Sequence, residues 1–309
     1  MKFKKPKFWD LKKPNFLSYL LLPFTIPIRI NNILLSIKSK KKHNKIKTIC
    51  IGNIYLGGTG KTSTAIKLYK ILQETGFNIF TGKKFYKSQF DEQTILNKKT
   101  NFITANNREE VIKMGSKKNA DIIIFDDGLQ DRKIEYDLSF VCFSMQNWVG
   151  NNFLIPAGPL REKLNSLKKY NGIFLKGDDS NKDEIINSIK MANKEIKIFF
   201  TSYQIVNLKK LDISKEYLIF SGIGDPLNFK NILIKNNFKI VEEIIYPDHY
   251  QYKNKDINQI KYKADKLNAE IITTEKDYVK ISKENCDNIN FLEVDLKIKN
   301  EEKLINFIK

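Results

Sequence analysis

The chain has 309 residues, with 54 Lys plus Arg against 35 Asp plus Glu, 41% hydrophobic and 12% aromatic residues, 14 Gly and 8 Pro. At roughly 150 residues per domain this is length for two domains with a core each, and the composition excludes collagen-like repeats and wholesale disorder. The net charge of +19 points to polyanions such as nucleic acid, phosphates or an acidic membrane surface, although a Lys-, Asn- and Ile-rich chain also gains charge without selecting a partner, so position decides.

The first 47 residues hold thirteen basic side chains (Lys2, Lys4, Lys5, Lys7, Lys12, Lys13, Arg29, Lys38, Lys40, Lys41, Lys42, Lys45, Lys47) against Asp10 alone, which is twelve of the nineteen excess charges. Between them runs an uncharged stretch, 15–28, too short for the roughly 20 residues of a spanning helix and interrupted by Pro23 and Pro27. A secretory leader fits poorly, because Arg29 and the lysines from Lys38 follow the apolar run. Apolar residues edged by Phe8, Trp9 and Tyr19 and flanked by lysines suit an anionic interface, and we expect 1–45 to be a basic, apolar membrane-contacting segment. The competing expectation is an amphipathic helix packed on the protein's own core.

From Ile46 short apolar strands alternate with helical patterns, as in a parallel α/β sheet. Thr48–Ile51 reads as a strand that runs through Gly52–Leu56 into Gly57-Gly-Thr-Gly-Lys-Thr62 and then a helix stopped at Gly76. Strand, glycine loop, Lys-Thr and helix is the context of a P-loop: glycine amides close on the phosphates, Lys61 neutralises them, and Thr62 offers a hydroxyl to Mg²⁺. We expect ATP to contact Tyr55, Leu56, Gly57, Gly58, Thr59, Gly60, Lys61 and Thr62, although the strict pattern has Gly where Tyr55 stands. Asp121–Gly128 reads as a buried strand delivering Asp126 and Asp127 at its carboxyl end, the place for a metal ligand.

Beyond it, Lys194–Tyr203 and Tyr217–Gly222 read as strands, a helix begins near Phe229, and Ala269–Thr274 and Asn290–Val294 read as further strands. The expected organisation is 46–200 as a three-layer P-loop kinase domain and 201–309 as a smaller α/β domain completing the active site. Cys50, Cys142 and Cys286 are far apart without CxxC spacing and read as packing residues. His43 and His249 have no thiol neighbours for a metal cage.

Seven ordered motifs resemble the tetraacyldisaccharide 4′-kinases of lipid A biosynthesis: Gly52-Asn53 before the P-loop, Asp91-Glu92, Asp126-Asp-Gly-Leu-Gln130, Leu154–Glu162, Gly222-Ile-Gly-Asp-Pro226 with Phe229, Pro247-Asp-His249, and Thr273-Thr-Glu-Lys-Asp277. The resemblance implies a P-loop enzyme that transfers the γ-phosphate of ATP to the 4′-hydroxyl of a lipid-linked glucosamine disaccharide, at the cytoplasmic face of the bacterial inner membrane. It implies Asp91 as base with His249 beside it, and Lys61 and Arg161 on the phosphates. Thr62, Asp126, Asp127 and Glu162 are the expected metal set. Asp248 could instead be a structural acid, Glu162 an acceptor contact, and Thr273-Thr274 a helix cap. The chain departs from the family pattern at Ser63, Lys83–Tyr86, Phe90 and Asp131. We expect a peripheral monomer without nucleic acid, and a membrane-associated P-loop switch ATPase is the rival reading, weakened because no early lysine precedes the loop.

Overall fold

The computed structural model describes residues 5–37, 41–43, 45–131, 133–177 and 181–309, the side chains of 35–37 aside. Lys2, Lys4, Lys38 and Lys40 of the basic flanks lie outside the described residues. In chain order the elements are α1 (Phe16–Leu20), α2 (Ile26–Ile37), β1 (Lys41–Lys42), β2 (Lys47–Gly52), α3 (Lys61–Gln73), β3 (Ile79–Lys84), α4 (Phe90–Lys99), β4 (Phe102–Ala105), α5 (Arg108–Lys117), β5 (Ile122–Asp126), β6 (Ile134–Glu135), β7 (Leu138–Ser144), β8 (Gly172–Lys176), α6 (Lys182–Ala192) and β9 (Lys197–Ile205). There follow β10 (Glu216–Ser221), α7 (Pro226–Lys235), β11 (Lys239–Ile245), α8 (Asn254–Lys266), β12 (Glu270–Thr274), α9 (Glu275–Tyr278), β13 (Ile289–Leu292), β14 (Val294–Ile298) and α10 (Glu301–Ile308).

The described residues form two compact units, a larger one of Lys5–Phe85, Lys99–Ser202 and Leu296–Lys309, and a smaller one of Tyr86–Lys98 and Tyr203–Asp295. An eight-stranded sheet, in the order β14-β9-β8-β7-β2-β5-β3-β4, runs parallel from β9 to β4. Its central strands are apolar on both faces, so successive residues feed opposite cores. Ile49, Ile51, Ile122 and Ile124 pack with Leu68 and Leu72 of α3 and with Leu304 and Ile308 of α10. Cys50, Ile123, Phe125 and Val141 pack on the other side with Val111 of α5 and Ile185 and Ile189 of α6. The result is a three-layer P-loop-type α/β arrangement.

The smaller unit repeats the plan with a parallel sheet ordered β11-β10-β12-β13. Tyr217, Ile219 and Ile272 face Phe229 and Leu233 of α7, while Leu218, Phe220 and Ile271 face Ile257 and Ile260 of α8.

These boundaries differ from a single division near residue 200. Helix α4 belongs with the smaller unit, whereas α10 returns to the larger one through Leu304 and Ile308. The apolar run expected as one strand from Asn290 to Val294 is two strands parted at Glu293, whose backbone N–H donates to Asn207 Oδ1 and whose carbonyl accepts from Val206.

The amino-terminal segment inverts the usual burial. Ser18 and Thr25 are buried, Ser18 bonded by Asn151 and Asn15 and Thr25 by the Leu22 carbonyl, whereas Phe16 (79%), Leu20 (59%), Phe24 (65%) and Ile33 (60%) are exposed. Ile26, Ile30, Ile33 and Leu34 share one exposed side of α2 at helical spacing. Packing of the apolar side on the protein's own core, the competing expectation, is therefore not what these residues do. Trp9 also departs from an interfacial position: it is buried, its Nε1 donates to the Pro156 carbonyl at 3.0 Å, and its own carbonyl accepts from the Asn151 N–H at 3.0 Å. Gly150, at φ +57°, permits this approach, because a Cβ there would lie 2.1 Å from the Trp9 carbonyl oxygen. Among the described residues no helix is long and apolar enough to cross a membrane.

Candidate active site

The P-loop connects the carboxyl end of β2 to α3. Gly60 sits at φ +86° immediately before the helix, a left-handed conformation that favours glycine, and its carbonyl accepts from Thr64 N at 2.9 Å. Fully buried Asn53 explains the Gly52-Asn53 signature: its Nδ2 donates to the Gly57 carbonyl at 3.3 Å and to Thr59 Oγ1 at 3.2 Å, fixing the loop from beneath. Lys176, at the end of β8, donates to the Gly58 carbonyl at 3.4 Å. Helix α3 opens at Lys61 and Thr62, so the positive end of its dipole stands at the glycine loop.

Two of the eight expected nucleotide contacts are otherwise engaged. Tyr55 is buried, with its hydroxyl bonded by Lys5 (2.7 Å) and Asp10 and the Lys5 ammonium 4.8 Å from its ring centroid, so its side chain anchors the amino-terminal segment. The Leu56 N–H donates to the Pro159 carbonyl at 2.8 Å, which takes it from the amides available to phosphate.

Strand β5, paired directly with β2, delivers Asp126 beside the helix start. Thr62 Oγ1 donates to Asp126 Oδ2 at 3.0 Å, and Lys83 Nζ donates to the same oxygen at 2.7 Å, with the Lys83 and Asp126 side chains both 0% exposed. Lys83 was visible in the sequence only as a departure from the family pattern, because a lysine in the run Lys83-Lys84 reads as a surface residue. Asp127, at φ +62°, lies 4.0 Å from Lys61 Nζ and 3.7 Å from Arg161 Nη1. Its carbonyl accepts from Arg108, which also pairs with Asp131 at 2.9 Å, so the departure at Asp131 supplies a partner for this arginine.

Arg161 and Glu162 meet through Gln130. Arg161 Nη1 donates to Gln130 Oε1 at 3.2 Å, and Gln130 Nε2 donates to Glu162 Oε1 at 3.3 Å and to the Asn53 carbonyl at 3.0 Å. Glu162 also accepts from the Tyr170 hydroxyl at 3.0 Å. The structure thus gathers Lys61, Thr62, Asp126, Asp127 and Arg161, and places Glu162 in the hydrogen-bond set behind Arg161. The buried thiols stay in the core: burial pushes Cys50 up, and Cys142 up to about 12, as packing residues require.

A second cluster lies in the smaller unit. Asp91, in the first turn of α4, is fully buried, and both of its carboxylate oxygens are 3.0 Å from His249 Nδ1. Asp91 falls in the range expected for the kinase domain and His249 in that expected for the smaller one, yet α4 and His249 belong to the same unit and pair within it. His249 adopts φ +56°, an uncommon region for a side chain with a Cβ, and is held by donation of its N–H to the Gly222 carbonyl at 3.1 Å and to Asp248 Oδ1 at 3.0 Å. Asp248 therefore does cap this turn.

Lys276 Nζ lies 3.1 Å from Glu92, 3.5 Å from Asp248 and 3.6 Å from Asp91, while fully buried Lys280 pairs with Asp277 at 2.6 Å and lies 3.9 Å from Asp91. Burial alone would raise the Asp91 carboxyl, but the His249 hydrogen bond and the ammonium groups of Lys276 and Lys280 outweigh it and hold the group below its ordinary value. The three carboxylates raise Lys276 in turn.

The other motifs build this cluster's frame. Asp225 caps α7, Pro226 occupies its first turn, and Phe229 enters the core. Thr274 caps α9, and Asp277 accepts from the Gly222 N–H at 3.0 Å and Tyr252 hydroxyl at 3.0 Å. Lys276 itself was legible only as part of a motif that equally read as a helix cap.

A glycine loop between a parallel strand and a helix, Lys-Thr at the helix start and an aspartate pair on the adjacent strand define a P-loop nucleotide-binding α/β protein. The family described as tetraacyldisaccharide-1-P 4′-kinase (LpxK) matches residues 16–309. The chain is 46% identical to a tetraacyldisaccharide 4′-kinase from Pelagibacter ubique (strain HTCC1062) over 99% of its own length and 97% of the relative's. It is 35% identical to one from Rickettsia akari (strain Hartford), covering 98% and 96%. Its fold is similar to a crystal structure of LpxK from Aquifex aeolicus in complex with ATP, at a TM-score of 0.70 and 22% identity over 95% of this chain and 98% of that one. The chain belongs to the tetraacyldisaccharide-1-P 4′-kinase family and is a kinase, which decides against the switch-ATPase reading.

Proposed function

We propose that this protein transfers the γ-phosphate of ATP to the 4′-hydroxyl of a tetraacyldisaccharide 1-phosphate. The observation that carries the reading is the Asp91–His249 pair, because an attacking alcohol has a proton to lose and this pair is built to accept one. The P-loop amides from Gly57 to Gly60 and the start of α3 hold the phosphates, with Lys61 and Arg161 supplying charge against the equatorial oxygens. The acceptor oxygen forms its bond to the γ-phosphorus as the bond to ADP breaks. Its proton passes to the Asp91–His249 pair.

The residues present fit Mg²⁺. Thr62 and Asp126 lie at hydrogen-bond distance with Asp127 next in sequence, a hard oxygen set of one or two carboxylates to be completed by phosphate. No group of three or more His, Cys, Asp or Glu side chains among the described residues forms an all-protein cage. When bound there, the ion would offset the negative charge of the phosphates. We assign Glu162 to orienting Arg161 through Gln130.

We further propose that the exposed apolar side of α1 and α2, with its flanking lysines, lies in an anionic membrane surface, which would place the enzyme peripherally at the cytoplasmic face of the inner membrane as a monomer. Asn32 on α2 donates to the Arg161 carbonyl at 2.9 Å, so the membrane-facing segment also supports a loop of the phosphate site. Incubation of the purified protein with tetraacyldisaccharide 1-phosphate, ATP and Mg²⁺ tests the reaction: lipid-dependent ADP release with a new phosphate ester at the 4′-oxygen is expected. ADP release indifferent to the lipid, with no phosphorylated product, contradicts it.

A further inference from the structure

Three carboxylates converge on the reacting pair in the smaller unit. Asp91 touches His249, and Glu92 and Asp248 each approach His249 Nε2 to 3.9 Å. Left to themselves these charges repel one another and raise the proton affinity of every member. Among the described residues, two ammonium groups face them. Lys280 is principally committed to Asp277, at 2.6 Å, in a pair that also receives the Gly222 N–H and ties β10 to α9. Lys276 differs: its single ammonium lies within 3.6 Å of Asp91 and Glu92 on α4 and of Asp248 in the turn that carries His249. Among the described residues it is thus a cation shared between the two segments that bring the pair together.

Resting on the kinase reading for its chemistry, we propose that Lys276 is a positioning residue for phosphoryl transfer: it clamps Asp91 and Glu92 to the Asp248-His249 turn and keeps the pair able to accept the acceptor's proton at neutral pH. Among the described residues, the charged groups that face Asp91 include His249, Lys276 and Lys280, and those that face His249 include Asp91, Glu92 and Asp248. The sign is the same for both members. Removing a cation lowers the local potential, so a carboxylate and an imidazolium each hold a proton to higher pH, and the acidic limb of the rate profile moves up. A lysine that merely braced the fold would change the rate at every pH alike.

The test compares wild-type protein with Lys276→Met, which keeps the length of the chain without its charge, and Lys276→Arg, which keeps a cation. Single-turnover phosphoryl transfer is measured across pH alongside ATP dissociation constants. In Lys276→Met the acidic limb should rise by about one pH unit and the neutral-pH rate fall about tenfold, with ATP affinity within about twofold of wild type. Lys276→Arg should recover limb and rate. An unmoved limb in a folded Lys276→Met protein, or an arginine variant no better than the methionine one, overturns the proposal.

A second readout needs no activity. Carbon NMR of protein labelled at the aspartate carboxyls, assigned with Asp91→Asn, follows Asp91 directly. Its titration should move upward in Lys276→Gln, and an identical titration in wild type and variant overturns the proposal even if Lys276→Met does not fold. Wild-type protein that leaves the lipid unphosphorylated would count against the kinase reading and leave this NMR comparison standing as the test of Lys276.

Discussion

The glycine loop of the larger unit, proposed above to hold phosphate, and the charged cluster of the smaller one, proposed to accept a proton, are built from different materials. The first is mostly backbone, one contiguous loop with Gly60 at positive φ and the start of α3, braced from below by Asn53 and Lys176. The second is almost all side chain, drawn from 91–92, 248–249 and 276–280 and held together by shared charge. A backbone cradle depends on spacing and on the absence of Cβ atoms at its glycines, with one side-chain charge, Lys61, added at the helix start. A cluster of carboxylates, lysines and an imidazole depends on its net potential, so it can be retuned by one residue.

That contrast predicts different kinds of failure, and the largest is in the cradle. Lys61→Ala removes the compact charge opposite the phosphates and should lower turnover by several orders of magnitude while circular dichroism and thermal unfolding remain as in the wild type. Wild-type turnover in the folded variant would take Lys61 out of the phosphate site.

The next effect is on stability. Lys83 and Asp126 pair with no solvent exposure, whereas the Lys276 side chain remains 22% exposed among its three partners. Lys83→Met should therefore leave a buried carboxylate without its principal cation and cost about 3–5 kcal/mol in urea unfolding, because losing one member of a buried pair exposes the desolvation cost of the other. Lys276→Met should cost far less stability than rate. Equal losses of stability in the two variants would erase the distinction between a pair that holds the fold and a cluster that tunes the reaction.

A smaller effect is expected at the exposed apolar side of the amino-terminal helices. Phe24→Glu with Ile30→Glu should weaken association with anionic vesicles about tenfold or more, as the loss of two apolar insertions implies, while leaving ATP affinity unchanged. Binding of the wild type should itself weaken as salt rises. Vesicle binding indifferent to both changes would mean that the lysines and apolar residues of this segment face something other than lipid.

How far the molecule could be read from its sequence follows the same division. Strand β2, the glycine loop, α3 and β5 were legible because one stretch carries each signal and apolar runs report burial directly. Asp91, His249 and Arg161 were legible through motifs, since single polar residues in loops have no periodicity of their own. Membership of α4 in the smaller unit was not, because it is decided by what Ile95, Leu96 and Asp91 bury against rather than by chain order. Trp9 illustrates the same limit: an aromatic flanked by lysines has the pattern of an interface residue, yet a carbonyl at Pro156 and the room left by Gly150 draw it inside. Lys83 was hidden for the reverse reason, a buried cation inside a basic run, whose partner lies 43 residues away.

On the proposed reading, separate sets of residues hold ATP and accept the acceptor's proton, and a single set of variants tests this division. ATP dissociation constants and single-turnover transfer rates are measured for Asp91→Ala, His249→Ala and the double variant. Each single change should leave ATP affinity within about twofold of wild type and slow transfer about 10²–10⁴-fold, and the double variant should be little slower than the poorer single one, because the two side chains act as one unit. Losses that multiply in the double variant, or a defect that appears in ATP affinity and not in the transfer step, would mean that Asp91 and His249 do not form one proton-accepting unit.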